Sequence, residues 1–301
     1  MRFSIWPSPQ RPFSEIAELV QHCEATGWDG VYFADHFMPD AGGGGATPLD
    51  GPTLECWSVL TGLAVATTRL RLAPLVTSVT YRHPTVLANI AAAVDNISNG
   101  RLLLGLGAGW QENEHQAYGL ELGTIKARLD RFEEAVQIIR SLTRENRTNF
   151  KGEYYEINDA PNQPAPVQPA LPILIGGGGE KRTLRIAAQY ADEWNAWSDP
   201  PTLAHKVSVL RQHCDTVGRD ASEIQVSTQA LLFLSDDAEW LQGKRELSAL
   251  AGSSAEVAEA VAAYKEAGAD EIIIPDFTMG SMPRRKDTCD KFITEVGAQF
   301  K

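Results

Sequence analysis

The chain has 301 residues, 43% hydrophobic and 22% charged, enough apolar material for one large α/β unit or two small ones. Twenty-seven basic against 39 acidic residues leave a net charge of −12. That balance argues against nucleic acid as a partner, which needs clustered Lys and Arg. It leaves an anionic ligand open, because backbone amides bind phosphate without net positive charge. No apolar run reaches bilayer length, so a membrane is not expected as a partner. The amino-terminal MRFSIWPSPQRPF lacks the pattern of a signal peptide. Four cysteines without a CxxC pair point to a reducing, cytoplasmic compartment with neither disulfides nor zinc.

Short apolar runs alternate with amphipathic stretches along the chain. Arg2 to Trp6 reads as a strand, followed by a helix from Ser14 whose stripe is Ile16, Leu19, Val20 and Cys23 and which Gly27 ends. Val31 to Ala34 is a buried strand, then a Gly/Pro loop runs from Pro39 to Pro52. A helix over Glu55 to Thr67 leads into a third strand, Leu70 to Val79. Pro84 suits a first helical position, and Val86, Leu87, Ile90, Ala91, Val94 and Ile97 form the expected buried stripe up to Gly100.

Leu102 to Leu106 is the fourth strand, and Leu129, Phe132, Val136 and Ile139 mark the helix after it. From 144 to 172 the pattern breaks into a weak hairpin over Phe150 to Ile157 and five prolines between Pro161 and Pro172. The alternation then resumes: a strand at Ile173 to Ile175, a helix at Lys181 to Tyr190, a weak sixth strand around Trp194 to Trp197, and a helix carrying Leu203, Val207, Leu210 and Cys214. Ile224 to Leu234 is the seventh strand, and 236–252 is an insertion that is a candidate lid. Ser253 to Glu256 is a capping box. Glu271 to Pro275 is the eighth strand, and Phe292, Ile293 and Val296 lie on a last helix. Eight strand–helix alternations without a composition break predict a single (β/α)8 TIM-type barrel spanning 1–301, with a doubly wound open sheet as the alternative.

In such a barrel the chemistry gathers where the strands end. Asp35 and His36 follow the second strand: either a general acid–base His oriented by the adjacent carboxylate, or a structural His bonded to a loop carbonyl. Thr77, Ser78 and Thr80 follow APLV and either meet a polar ring edge or satisfy the barrel rim. His83, just before Pro84, reads as closing a turn.

Gly105, Gly107 and Gly109 in GLGAGW have a GxGxG spacing without the acidic strand end a dinucleotide fingerprint needs. They let a flat ligand lie against the backbone, or they permit close packing. Glu112, Glu114 and His115 are catalytic or belong to a solvated first turn. The strongest local signal is ILIGGGGEKRTL. Gly176, Gly177, Gly178 and Gly179 between a strand and a helix start form an anion site, with Lys181 and Arg182 adding charge. Trp194, Trp197 and Trp240 wall a pocket or fill the core. Six scattered histidines without HxH argue against a metal site.

The blocks GVYFADHF, APLVTSVTYRHP, DNISNGRLLLGLGAGW with ENEH behind it, and ILIGGGGEKRTLRIAAQYADEWN resemble the luciferase-like flavin and deazaflavin oxidoreductases across almost the whole chain. The resemblance is nearest to the branch that uses coenzyme F420. It implies a TIM-type barrel holding F420, or alternatively FMN, with the ring beside Asp35, His36, Thr77, Ser78 and Gly107, the phosphate on Gly177 and Gly178, and Ala108, Gly109, Gly176 and Gly179 completing the cofactor site. It also implies a non-prolyl cis peptide behind the ring, at Ser78–Val79 in this chain. In the sugar-phosphate dehydrogenases of that branch a proton-donating glutamate follows the glycine run. Trp110 stands there instead, which leaves His36, then Glu114, as the expected proton donor.

The function implied is hydride transfer between F420 and a small organic substrate. The alternatives are an FMN monooxygenase served by a separate reductase and a cofactor-binding protein without turnover. A homodimer is expected on the resemblance alone.

Overall fold

The computed structural model describes residues 1–39 and 50–301, so most of the Pro39 to Pro52 loop lies outside the described residues. The chain opens with β1 (Arg2–Trp6), α1 (Phe13–Thr26), β2 (Gly30–Phe33), α2 (Cys56–Ala66), β3 (Arg71–Pro74) and β4 (Thr77–Ser78). It continues through α3 (Pro84–Ile97), β5 (Leu104–Gly107), α4 (Glu112–Tyr118) and α5 (Ile125–Arg144). The hairpin β6 (Thr148–Lys151) and β7 (Glu156–Ala160) follows, then β8 (Ile173–Gly176), α6 (Thr183–Tyr190), β9 (Glu193–Asn195) and α7 (Pro200–Val217). The last part comprises β10 (Gln225–Gln229), β11 (Phe233–Leu234), α8 (Ala238–Leu241), β12 (Ala251–Gly252), α9 (Ser254–Glu266), β13 (Glu271–Pro275) and α10 (Met282–Lys291).

Nine strand segments share one sheet in the order β3-β2-β1-β13-β10-β9-β8-β5-β4, and their ladders are parallel. The two ends of that order are β3 and β4, which are halves of one strand, so the nine segments make eight strands. A bridge between Leu72 and Leu102, and the pairing of Thr77 and Ser78 with Leu106 and Gly107, close the ring. The open doubly wound alternative is thereby set aside, and the barrel is the fold.

Local chemistry explains most of the boundaries. Gly27 ends α1 in the left-handed region at φ 95°, a conformation open to glycine at little cost. Glu55 caps α2 by accepting from the amides of Trp57 and Ser58 at 3.1 and 2.7 Å. His83 caps α3 just ahead of Pro84, which answers the question of its role. The Ser253–Glu256 capping box is formed in full.

Three sequence expectations shift. The seventh strand, expected over Ile224 to Leu234, stops at Gln229, and Phe233–Leu234 pairs instead with Ala251–Gly252 in a small sheet of its own. On α3 the buried face is Leu87, Ala88, Ala91, Ala92, Val94 and Asp95, while Val86 and Ile97 face outward, because the helix rests on its neighbours along a narrower, alanine-rich line. The third strand is not continuous. It breaks between Pro74 and Thr77, and the non-prolyl cis peptide lies at Leu75–Val76 rather than Ser78–Val79. The break falls where the opposing strands lack bulk, since Val76 occupies the space in front of Gly105, Gly107 and Gly176.

Inside the barrel Tyr32, Ala73, Leu75, Leu103, Leu174 and Ile273 pack together, with Trp6 and Val76 against them. The larger core lies between strands and helices. The hairpin is tied down by Glu134 of α5, which accepts from the amides of Glu153, Tyr154 and Tyr155 at 2.7, 3.0 and 3.2 Å. Among the described residues no helix is long and apolar enough to cross a membrane.

Candidate active site

A cavity of about 490 Å³ opens at the end of the barrel where the strands finish. That size lies within the usual range for small-molecule sites. Asp35 and His36 after β2, Leu75, Val76 and Ser78 from the broken strand, and Gly107 to Trp110 after β5 form one side. Gly176 to Gly179 after β8, Asn195 to Ser198 after β9, Gln229 at the end of β10, and Thr183, Thr202 and Lys206 from helices form the other.

His36 and Glu114 meet although they stand 78 residues apart: Nδ1 of His36 lies 2.7 Å from a carboxylate oxygen of Glu114. Glu114 is fully buried and also accepts from the Phe37 amide at 2.8 Å and from the Tyr81 hydroxyl. Burial works to raise its pKa, but the hydrogen bond and charge of His36, with the bonds from Tyr81 and Phe37, outweigh it and hold the carboxyl below its ordinary value. An ionised carboxylate only accepts, so Nδ1 of His36 carries a proton and Nε2 is left to exchange one in the neutral ring. Glu114 itself does not line the cavity; it acts on the site through His36.

The adjacent carboxylate has another partner. Asp35 receives both guanidinium nitrogens of Arg82, at 2.6 and 3.2 Å, and Arg82 also reaches Glu55 at 2.7 Å. Burial pushes the Asp35 carboxyl up against the pull of that guanidinium. Asp35 therefore lines the cavity as half of an ion pair rather than as the orienter of His36. Thr77 is set back from the cavity, buried and bonded to the indole nitrogen of Trp57 at 3.0 Å, whereas Ser78 lines it.

The glycine run is built as a cradle. The carbonyl of Gly177 accepts from the buried Trp194 indole at 3.0 Å and its amide donates to Asn195 at 2.9 Å, so the loop is pinned to β9. The amides of Gly178 and Gly179 donate to no backbone carbonyl among the described residues. The helix behind them, α6, has no side-chain cap, which leaves its positive end facing the loop. The nearby cation is Lys206 of α7, not the pair that sequence proximity suggested. Arg182 is drawn off to Asp130 at 2.7 Å and Glu133 at 3.4 Å. Lys206 is held in place by Glu180 at 2.6 Å.

Aromatic side chains border the opening. Trp110, 56% exposed, stands edge-on to His36 with ring centres 5.6 Å apart. Trp197 packs against Trp6, which packs against Phe277. Trp240 sits elsewhere, between Phe233, Lys244 and Arg284, and no residue of 236–252 lines the cavity. Gln229, only 6% exposed, donates to Asn195 at 2.8 Å, while its own side-chain oxygen has no partner among the described residues. A buried polar atom without a partner is costly, and a donor from a ligand would satisfy this one.

Sequence reasoning missed Arg82, Tyr81, Lys206, Asn195 and Gln229. Gln229 and Asn195 end strands and obey the rule that found Asp35 and His36. Lys206 carried no local signal, because only the packing of α7 on α6 brings it to the loop.

A cavity at the strand ends of a (β/α)8 barrel, lined by two glycine runs and His36, defines a class of barrels with a small-molecule site at that end. The luciferase-like monooxygenase family model matches residues 1–246, and the chain belongs to that family. An F420-dependent glucose-6-phosphate dehydrogenase of Amycolatopsis mediterranei (strain U-32) is 35% identical over 180 residues, 59% of this chain and 50% of that protein. A pyrimidine monooxygenase, RutA, of Escherichia coli O139:H28 is 30% identical over 209 residues, 67% of this chain and 51% of its own length. The chain thus spans about half the length of these relatives. The coenzyme F420 dependent tetrahydromethanopterin reductase of Methanopyrus kandleri superposes with a TM-score of 0.84 at 19% identity, covering 100% of this chain and 99% of that one, a likeness of fold.

Proposed function

We propose that the protein is an F420-dependent oxidoreductase that moves a hydride between the deazaflavin and a small organic substrate. The observation that carries this reading is the convergence, in one cavity, of the pinned glycine loop, whose Gly178 and Gly179 amides have no partner among the described residues, and His36, backed by Glu114.

The residues fit such a group. A Cβ at Gly107 or Gly109 would press on Val76 or on the Ser78 hydroxyl, and these positions leave a bare wall for a flat ring. Gly178 is open, with only the Lys206 side chain near, which leaves space for a phosphate. The unpartnered oxygen of Gln229 is ready for a ring N–H.

The amides of Gly178 and Gly179, the start of α6 and Lys206 would hold the phosphate. Leu75, Val76 and Gly107 to Gly109 would support the ring face, with Asp35 and Ser78 at its edge. When bound, the deazaflavin supplies the hydride chemistry. His36 takes or gives the accompanying proton at Nε2, and Glu114 steadies the imidazolium that results. The exposed indoles of Trp110 and Trp197 favour an uncharged substrate over a sugar phosphate.

A second reading, an FMN monooxygenase served by a separate reductase, is supported by the likeness to the pyrimidine monooxygenase. A cytoplasmic location and a homodimer go with either reading. Equilibrium titration with F420 and with FMN, followed by fluorescence, separates them. Tighter binding of F420 is expected. Preference for FMN would move the assignment to the monooxygenase, and binding of neither would overturn both.

A further inference from the structure

Ser78 lines the cavity, and its hydroxyl lies 2.6 Å from that of Thr80, which lies 2.6 Å from Nε2 of His115. His115 is 2% exposed, and its Nδ1 is 2.6 Å from the Gln111 carbonyl oxygen. A carbonyl only accepts, so Nδ1 carries a proton. In neutral His115 the lone pair is then on Nε2. Thr80 donates to it, Ser78 donates to Thr80, and the Ser78 oxygen offers only lone pairs to the cavity. A proton placed on Nε2 reverses each bond in turn, and Ser78 then offers an O–H instead.

We propose that Ser78, Thr80 and His115 form a proton relay between the cavity and a buried imidazole, which also sets whether Ser78 accepts from or donates to the bound molecule. A ligand N–H or O–H passes its proton to Ser78 as the Ser78 proton moves to Thr80 and the Thr80 proton moves to Nε2. Each O–H or N–H bond broken is matched by one formed, and no electrons change hands.

Gly109 is bare beside this chain: a Cβ there would stand 2.5 Å from the Ser78 hydroxyl and 3.1 Å from that of Thr80. Thr80 also borders a second cavity of about 260 Å³, lined by Tyr81, Arg82, His83, Arg131, Tyr154 and Tyr155. Thr80 thus stands between the buried imidazole and this second opening. Of the groups around His115, the Tyr81 ring lies 5.1 Å away with its hydroxyl on Glu114. Glu114 faces His36, and Glu112 is exposed. Arg82, His83 and Arg131 face the second cavity beside Thr80. Thr80 and His115 are positioning residues, acting through Ser78. The use of this relay in a redox reaction rests on the function proposed above, but the relay itself does not.

The test is histidine-selective ¹⁵N NMR on the full chain without cofactor, with His115 assigned by its loss in His115→Gln. The wild type should show the Nδ1–H tautomer when the ring is neutral and, once acid adds the second proton, an Nε2–H that exchanges readily with solvent. Thr80→Val should slow that exchange at least tenfold, and Thr80→Ala likewise if the valine variant folds poorly. Thr80→Ser should restore the rate to within about threefold, a rescue that a merely structural role would not predict. Wild-type exchange rates in the valine or alanine variant, or the opposite tautomer in the wild type, would overturn the relay. Failure of F420 and FMN to bind in the separate titration would sink the proposed function and leave the exchange result standing.

Discussion

The two ends of the barrel are made of the same strands and treat polar groups in opposite ways. Where the strands begin, Arg2 and Arg71 each reach both Glu193 and Glu271, at 2.9 to 3.2 Å, and Ser4 and Tyr32 add bonds to the same carboxylates. Two positive charges meet two negative ones, and the end is closed. Where the strands finish, the amides of Gly178 and Gly179, the uncapped start of α6 and the oxygen of Gln229 have no partners among the described residues. Lys206 stands beside them. The closed end stabilises the fold and offers a ligand little. The open end is held in shape by the barrel while its polar groups remain available, which is what a preorganised site needs.

The sharpest way to break this contrast is to uncouple the closed end. Arg71→Met leaves two buried carboxylates facing Arg2 alone, and a cost of about 3–5 kcal/mol in urea unfolding at neutral pH is expected. The sign with pH follows from Glu193, whose pKa is raised by burial and by the Glu271 charge, against the pull of Arg71 and Arg2. Losing Arg71 raises it further. A carboxyl with a raised folded pKa costs stability above that value and recovers it on acidification, so the deficit should shrink as pH falls toward 4.5, the ordinary value. A deficit independent of pH would show that packing, not charge, dominates this end.

The matching change at the open end is Gly178→Asp. The position has room for a Cβ, so the melting temperature should hold, while F420 or FMN affinity falls about 100-fold because the new carboxylate stands in the space left for the phosphate and repels it. Unchanged affinity would remove the phosphate from this loop. Lys206→Met should weaken binding by about fivefold and flatten its salt dependence, since a partly exposed charge contributes about 1 kcal/mol.

The smallest effect expected is at Glu114. Its folded pKa is lowered, so its contribution is present above 4.5 and is lost as pH falls through the folded value. Glu114→Gln should therefore flatten the acid limb of the stability curve while leaving the closed end untouched. A wild-type acid limb in that variant would contradict the pairing with His36.

Much of the fold was legible along the chain. The stripe of α1, Pro84 at the start of α3 and the Ser253–Glu256 box are local signals, and each marks its element. The break in the third strand was not legible. APLVTSV reads as one apolar run, and only the glycines of β5 and β8 across the barrel make room for Val76. Strand-end position was enough to single out His36, Ser78 and the glycine run, but it paired His36 with the wrong carboxylate. Asp35 is its neighbour in sequence, yet alternate side chains at a strand end point apart, and Arg82 collects Asp35 while Glu114 comes in from α4.

By itself the sequence determined where most strands and helices lie, that they alternate into a closed barrel, and that a glycine run after the fifth strand faces a helix start. Periodicity, caps and glycine are properties of a few adjacent residues, so they survive without any knowledge of the fold. Only the tertiary structure decided which charge answers which: Lys206 rather than Arg182 at the glycine loop, Glu114 rather than Asp35 at His36, and His115 behind Thr80 and Ser78. Those pairings depend on how strands and helices pack, which brings together side chains tens of residues apart at hydrogen-bond distance, where a shift of one ångström changes the partner.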